Sequence, residues 1–117
     1  MTSFGSQSDR TGRDMFAEAG LSALEDAGVP AGDIDELFYG NFVGTLSEEQ
    51  GHQGPLMAEA LGTTAPSCRV ESACASSGVA VRDAVRAIRS GEADVVVAGG
   101  MERMTNMGTA GATKGLA

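Results

Sequence analysis

Two apolar periodicities alternate along this chain, and their alternation limits the fold more than any other feature of the sequence. Apolar residues recur at helical spacing in three stretches, and a short β-branched or aromatic run follows each of them. In chain order, the pattern predicts a helix from Thr11 to Gly28, a strand over 36–44, a helix from Ser47 to Gly62, a strand over 67–72, a helix over 75–89 and a strand over 93–98. Helices that alternate with strands build a parallel or mostly parallel sheet covered by helices, so the predicted fold class is α/β.

Local start and stop signals agree with this order. Thr11 and Asp14 have the spacing of a capping box, and Gly28 closes the helix that follows. The glycine pair Gly99-Gly100 is expected to end the last strand. The third helix is predicted to have an apolar side and an opposite, solvated side; these consist of Val81, Ala84, Val85 and Ile88, and of Arg82, Arg86 and Arg89.

Both ends of the chain look cut rather than capped. A chain of this class normally begins with a central strand, whereas a Gly/Ser-rich stretch from Ser3 to Gly12 precedes the first helix here. Residues 105–117 are small, show no apolar pattern and are expected to be flexible. The sequence therefore predicts a partial domain over 1–117 that lacks its first strand.

Composition narrows the classes of function. The 117 residues suffice for one domain, and the formal charge is −8, with no Lys/Arg cluster and 4% aromatic residues. That balance argues against partners such as nucleic acid or an anionic membrane surface. No apolar run is long enough for a transmembrane helix and the first residues do not resemble a signal peptide, so a cytoplasmic location is expected. Two cysteines and a lone histidine, His52, predict neither a disulfide framework nor a metal site.

The strongest local feature is a thiol placed where a strand turns into a helix. Cys74 follows the strand that contains Val70 and precedes the third helix. Unpaired N–H groups at a helix N-terminus favour a thiolate and can donate to a developing oxyanion. Small residues beside it leave room for an acyl group; they are Ala73, Ala75, Ser76 and Ser77. A buried structural cysteine is the alternative that this segment alone leaves open.

This segment and those that follow it resemble the thiolase family. Thiolases carry their acyl-accepting cysteine in a turn of the form Val-x-x-x-Cys-Ala-Ser-Gly, followed by an amphipathic helix, an Arg-x-Gly-x-x-Asp turn, a Val-rich strand and Gly-Gly-x-Glu-x-Met. The matching parts are Val70 to Cys74-Ala75-Ser76-Ser77, then Arg89-Ser90-Gly91-Glu92-Ala93-Asp94, then Val95-Val96-Val97-Ala98-Gly99-Gly100-Met101-Glu102-Arg103-Met104. The resemblance covers residues 1 to about 107 and favours the branch of sterol-carrier-like and archaeal enzymes.

The resemblance implies an acyltransferase with Cys74 as the catalytic nucleophile. It would form an acyl-Cys intermediate for Claisen condensation or thiolysis in lipid metabolism, with a coenzyme A thioester as substrate and no tightly bound cofactor. The family's Gly-His-Pro histidine, its Asn-bearing loop, its second catalytic cysteine and its loop region that grips coenzyme A have no counterpart in this chain. The chain alone is therefore expected to be inactive, and a homo-oligomer or a complementary C-terminal half is the expected partner.

Two alternatives stay open, and the sequence departs from the family pattern at Glu71 and at Ser77-Gly78, which replaces the commoner Gly-Ser order after the cysteine. The chain could be a non-catalytic subunit or thioester-binding half, or a relative of the ketoacyl and hydroxymethylglutaryl-CoA synthases; the Gly-Gly-x-Glu-x-Met run favours thiolase over the latter. Glu71 stands where many thiolases have Asn or another small polar residue.

The remaining residues that chemistry could use have simpler structural interpretations. His52 is predicted to lie at a surface or helix start, and Cys68 in the core. Three methionines after the last strand are predicted to be packing or loop residues near an acyl pocket; they are Met101, Met104 and Met107.

Overall fold

The computed structural model describes residues 1–117 as a three-stranded sheet with helices on both sides. The helices are α1 (Gly12–Ala27), α2 (Gly44–Ser47), α3 (Gln53–Leu61), α4 (Ser76–Ser90) and α5 (Gly108–Leu116), and the strands are β1 (Glu36–Gly40), β2 (Ser67–Val70) and β3 (Val96–Gly100). Single turns of 3-10 helix lie at Ala31–Asp33, Ala73–Ala75 and Thr105–Met107. No helix is both long and apolar enough to cross a lipid bilayer.

The sheet is parallel throughout, which confirms the predicted α/β class. The strand order is β2-β1-β3, so β1 is central and pairs with both neighbours. In the resulting register Phe38 lies opposite Cys68 on one side and Ala98 on the other. Because all three strands run in the same direction, their carboxyl ends meet at one edge of the sheet.

The apolar core lies between the sheet and the layer formed by α1 and α3. Leu37 and Tyr39 are fully buried and alternate with half-buried residues along β1. The Tyr39 ring packs edge-to-face on Phe16 of α1, with 5.1 Å between the centroids. Met57 and Leu61 of α3 complete the cluster.

Helix α4 covers the other side of the sheet through its smallest residues. Its buried positions are Ser76, Ala80, Ala84 and Ala87. Where α4 begins, the sheet has glycines: a Cβ on Gly40 would lie 2.6 Å from the Ser77 Cα, and one on Gly100 would lie 2.2 Å from the Ser77 Oγ. The sequence analysis expected the glycine pair to end the last strand, but β3 continues through both glycines to Gly100. The close approach of α4 excludes a side chain at Gly100, whereas a Cβ on Gly99 would make only an ordinary contact with Phe16, at 3.6 Å.

The side of α4 predicted to be apolar does not face the core. Of its four residues only Ala84 is buried, whereas Val81, Val85 and Ile88 are 51%, 43% and 44% exposed. Helix α4 lies so close to the glycines of the sheet that only small side chains fit between the two. The larger valines and isoleucine therefore lie on the side that faces solvent. The three exposed residues are named the α4 outer face below.

The first helix agrees with its sequence signals. The Thr11 hydroxyl accepts the Asp14 N–H at 3.1 Å, and the Asp14 carboxylate accepts the Thr11 N–H at 3.0 Å. Hydrogen bonds from the Thr11 side chain and backbone hold the pKa of Asp14 below its ordinary value. Gly28 ends the helix at φ 66°, a left-handed conformation that glycine adopts without strain.

Several predicted boundaries differ from the structure. The strand predicted over 67–72 ends at Val70, and the strand predicted over 93–98 spans Val96–Gly100. The strand predicted over 36–44 ends at Gly40, because the Asn41 Oδ1 accepts the Gly44 N–H at 2.8 Å and turns the chain. The helix predicted from Ser47 to Gly62 is divided into α2 and α3. Residues 105–117, for which no regular structure was predicted, contain α5, although none of the α5 residues is buried.

The Tyr39 hydroxyl is one of four buried side-chain polar atoms without a hydrogen-bond partner. Tyr39 is 0% exposed, and its hydroxyl has no hydrogen-bond partner. Burial raises the pKa of Tyr39 far above its ordinary value, and the carboxylates of Glu102 and Glu48 raise it further. The folded chain therefore keeps a proton that the unfolded chain loses.

We expect an alkaline transition governed by Tyr39. The contribution of this group to stability is complete below about pH 10 and falls by up to about 1.4 kcal/mol per pH unit above it, because only the unfolded chain releases the phenolic proton. Tyr39 is the one tyrosine of a chain without tryptophan, so tyrosinate absorbance reports on it alone. Tyrosinate should appear only as the far-UV circular dichroism of the helices is lost. Tyr39→Phe should move that loss to higher pH, and tyrosinate forming near pH 10 in a folded chain would contradict the prediction.

Candidate active site at the carboxyl ends of the strands

A small cavity opens where the carboxyl ends of the three strands meet the start of α4. Its volume is about 120 Å³, and its lining consists of Phe42, Ala73, Cys74, Ser76, Ser77, Glu102 and Met104. The lining comes from the segments that follow β1, β2 and β3. Cys74 is exposed to solvent. Ligands of open parallel sheets bind outside the carboxyl ends of the strands, so this edge is where a site is expected.

The turn that presents Cys74 has a strained backbone. Cys74 lies in the 3-10 turn Ala73–Ala75, directly before α4. Ala73 has φ 47°, a left-handed conformation that a residue with a side chain adopts at a cost of about 1–2 kcal/mol. Such strain persists only where the surroundings hold it in place.

Two side chains hold this turn. The Ser76 hydroxyl accepts the Ser72 N–H at 2.9 Å and donates to the Ala73 carbonyl at 2.7 Å. The Glu71 carboxylate accepts the Ala73 N–H at 2.6 Å. Glu71, which departs from the family pattern, therefore bonds to the backbone of the residue before Cys74.

A second turn, Asn41–Gly44, faces the first across the cavity. The Glu102 carboxylate accepts the N–H groups of Phe42 and, at 3.2 Å, Val43. The Asn41 amide donates to the Met101 carbonyl at 2.6 Å. From β2, the Arg69 guanidinium donates to the Phe42 carbonyl at 2.8 Å and to the Asn41 carbonyl at 3.3 Å. The turn is thus held from one side by β2 and from the other by the segment that follows β3.

The structure places Cys68 and His52 outside the lining of the Cys74 cavity. Cys68 was predicted to be in the core, but it is exposed, because β2 is the outer strand and has a neighbour on one side only. His52 is exposed and precedes the first residue of α3, which confirms the helix-start interpretation. Met104 lines the cavity as expected, whereas Met101 packs against the core cluster.

The arginines of α4 are solvated. Arg82, Arg86 and Arg89 are all exposed, and the first two pair with Asp83 at 2.9 Å and 3.6 Å. Surface pairs of this kind contribute little to stability. Nowhere does the structure bring three His, Cys, Asp or Glu side chains into an arrangement that could hold a metal ion.

Sequence reasoning missed Phe42 and Glu102 as members of the site. Both follow the carboxyl end of a strand, and β1 and β3 are neighbours in the sheet. That placement was the available signal, because the carboxyl ends of adjacent parallel strands lie side by side. The contact between them spans 60 positions and cannot be read from local pattern.

Comparison with known proteins agrees with the fold. The model of the N-terminal domain of thiolase matches residues 1–116. The chain therefore belongs to the thiolase family. It is 47% identical over 107 residues to the acetyl-CoA acetyltransferase of Methanothermobacter thermautotrophicus, a match that covers 91% of this chain and 28% of the relative. The acetyl-CoA acetyltransferase of Methanocaldococcus jannaschii is 45% identical over 107 residues, with 91% and 27% covered.

A solved structure shows the same fold. The Acat5 thiolase from Ascaris suum, crystallised in complex with coenzyme A, matches with a TM-score of 0.80 at 21% identity, over 87% of this chain and 27% of that chain. The chain thus spans little more than a quarter of the length of the curated relatives that it matches.

Proposed function

We propose that this chain is the part of a thiolase-type acyltransferase that carries the acyl-accepting cysteine, Cys74. The observation that supports this most directly is an exposed thiol in a strained turn, placed at the carboxyl edge of a parallel sheet and open to a small cavity. Membership of the thiolase family and relatives named acetyl-CoA acetyltransferases point to an acyl-CoA as substrate.

The proposed first step is acyl transfer to sulfur. The Cys74 thiolate bonds to the carbonyl carbon of the thioester, the carbon–sulfur bond to coenzyme A breaks, and coenzyme A leaves as a thiolate that takes up a proton. The Cys74 N–H is proposed as one donor to the oxyanion that forms in between. The α-carbon of a second thioester then gives up a proton to a base and bonds to the acyl carbon, and the bond from that carbon to the Cys74 sulfur breaks. In thiolysis the thiolate of coenzyme A takes the acyl group from the Cys74 sulfur instead.

The groups that move protons in this reaction are proposed to come from outside these 117 residues. The residues that line the cavity include no histidine, and His52 lies at the start of α3. A catalytic base must lie within hydrogen-bond reach of the proton that it takes. Without it the first half-reaction is slow and the carbon–carbon bond does not form.

The α4 outer face is the proposed contact for the partner that supplies those groups. Val81, Val85 and Ile88 are exposed on the helix whose first turn follows Cys74. A contiguous apolar surface of this kind is stabilised when another protein surface covers it. The proposed partner is a second copy of the chain or a complementary C-terminal half.

Acetyl transfer from acetyl-CoA tests the proposal. We expect peptide mass spectrometry to find acetyl groups on Cys74 well before Cys68, which is also solvent-exposed and serves as an internal control. Cys74→Ser should abolish the preferential acetylation at this position, and the chain alone should form no acetoacetyl-CoA. Equal, slow acetylation of both cysteines would rule out Cys74 as the acyl acceptor, and sustained turnover by the chain alone would rule out the need for a partner.

A further inference from the structure

The cavity at Cys74 has one wall that is both large and fixed. Phe42 and Met104 are the two large apolar residues in its lining. Met104 is 41% exposed, and the thioether side chain adapts its shape to what it contacts. Phe42 is half-buried and has a rigid ring.

Phe42 is held through its backbone on both sides. Glu102, after β3, accepts the Phe42 N–H, and Arg69, on β2, donates to the Phe42 carbonyl at 2.8 Å. Both are charge-assisted hydrogen bonds, which are about twice as strong as neutral ones. The backbone of Phe42 is thus bonded to β2 and to the segment after β3, so it cannot move away from a ligand without breaking one of these hydrogen bonds.

The volume of the cavity makes such a wall selective. About 120 Å³ is well below the ~300–1,000 Å³ typical of pockets for drug-sized ligands. A group of a few heavy atoms fits, and a longer group that stays inside the cavity must displace a lining side chain. Because Phe42 is fixed, the extra length is not accommodated there.

We propose that Phe42 is the specificity-determining residue that limits the length of the group bound at the Cys74 sulfur, and that Glu102 is the positioning residue that holds it in place. This rests on the proposed function, because it takes the cavity to be the acyl pocket. The proposal adds a chain-length limit that is set within this chain by two residues outside the nucleophile turn.

Alkyl methanethiosulfonates of increasing length test it without requiring turnover. These reagents transfer their alkylthio group to a thiolate and release methanesulfinate, so the rate at Cys74 reports whether the alkyl group fits. In a Cys68→Ser background, the hexyl reagent should react about tenfold or more slowly than the methyl reagent, the usual penalty for overfilling an apolar site. Phe42→Ala should bring the two rates within about threefold of each other, the ratio expected of an unobstructed thiol, since one removed contact restores the room.

Further variants distinguish a local effect from general unfolding. Phe4→Ala is the matched control, because Phe4 is 93% exposed and does not line the Cys74 cavity; it should keep the full discrimination. Phe42→Leu retains an apolar side chain and covers the case in which the alanine variant does not fold. Glu102→Gln should lose discrimination while its circular dichroism is unchanged.

Failure of the inference and failure of the proposed function give different results. If Cys74 is acetylated by acetyl-CoA in preference to Cys68 but the length dependence is the same in wild type and in both Phe42 variants, Phe42 does not set the limit. If the length dependence is lost when Phe42 is replaced but Cys74 is not preferentially acetylated, the cavity limits the length of the alkyl group and the acyltransferase assignment fails. Unchanged discrimination in Glu102→Gln would overturn the positioning role.

Discussion

Gly40→Ala is expected to displace the start of α4 and with it the turn that carries Cys74. A Cβ at this position would lie 2.6 Å from the backbone N and Cα of Ser77 and 2.8 Å from the Ser76 carbonyl carbon. These are backbone atoms, so no side-chain rotation relieves the clash. Overfilling a packed interface typically destabilises by about 1–3 kcal/mol. A displacement of about 1 Å at a reacting group can slow a reaction about 100-fold.

Urea unfolding and the rate of Cys74 acetylation measure the two consequences of Gly40→Ala. Gly78→Ala is a matched control on the same helix, since a Cβ there has no heavy atom within 4 Å. It should stabilise the chain by about 0.5–1 kcal/mol, because alanine is the better helix former, and should leave the acetylation rate unchanged. If Gly40→Ala were as stable and as reactive as wild type, the close approach of α4 to the sheet would not be what positions Cys74.

Ser76→Ala is expected to relax the nucleophile turn. The hydroxyl that it removes is part of a residue that is 4% exposed and bonds to both the Ser72 N–H and the Ala73 carbonyl. Leaving such groups without partners costs about 1–3 kcal/mol. The strain at Ala73, with φ 47°, gives the turn a second reason to change conformation. We expect the acetylation of Cys74 to slow by about 10- to 100-fold.

Ser90→Ala controls for loss of a serine hydroxyl from the same helix. The Ser90 hydroxyl donates to the Ala87 carbonyl at 3.0 Å. Ser76 makes the same kind of hydrogen bond, to the carbonyl of Ala73, which is also three residues earlier. Its loss should change stability slightly and the acetylation rate not at all. Equal acetylation rates for Ser76→Ala and Ser90→Ala would sink the proposed role of Ser76.

Local sequence signals were enough to predict the bounds of α1 and the position of Cys74 between a strand and a helix. The capping box at Thr11 and the left-handed glycine at Gly28 act within one turn of chain, so the bounds of α1 followed from the residues themselves. The strand-to-helix transition around Cys74 was marked in the same way. The parallel sheet followed from the alternation of elements.

What failed depends on residues that are distant in sequence. Helical periodicity groups Val81, Val85 and Ile88 on one side of α4, but it does not show that the sheet beneath offers glycines and selects the alanine side. The core position expected for Cys68 failed because pattern alone does not show that β2 is an outer strand. The hydrogen bonds of Glu102 to Phe42 and Val43 join segments about sixty residues apart.

The two apolar sides of α4 have a consequence for the lifetime of an acyl group on sulfur. One side is covered by the sheet, and the other, with Val81 and Val85, is exposed to water, as is Cys74 just before the helix begins. A surface that extended from these valines past the first turn of α4 would also cover the cavity and keep water away from a thioester bond at Cys74. An acetyl group on Cys74 should therefore be hydrolysed faster in the uncovered chain than in an assembly whose partner covers the α4 outer face and the cavity. The partner that we propose for this face would then also determine how long the acyl group remains available to an acceptor.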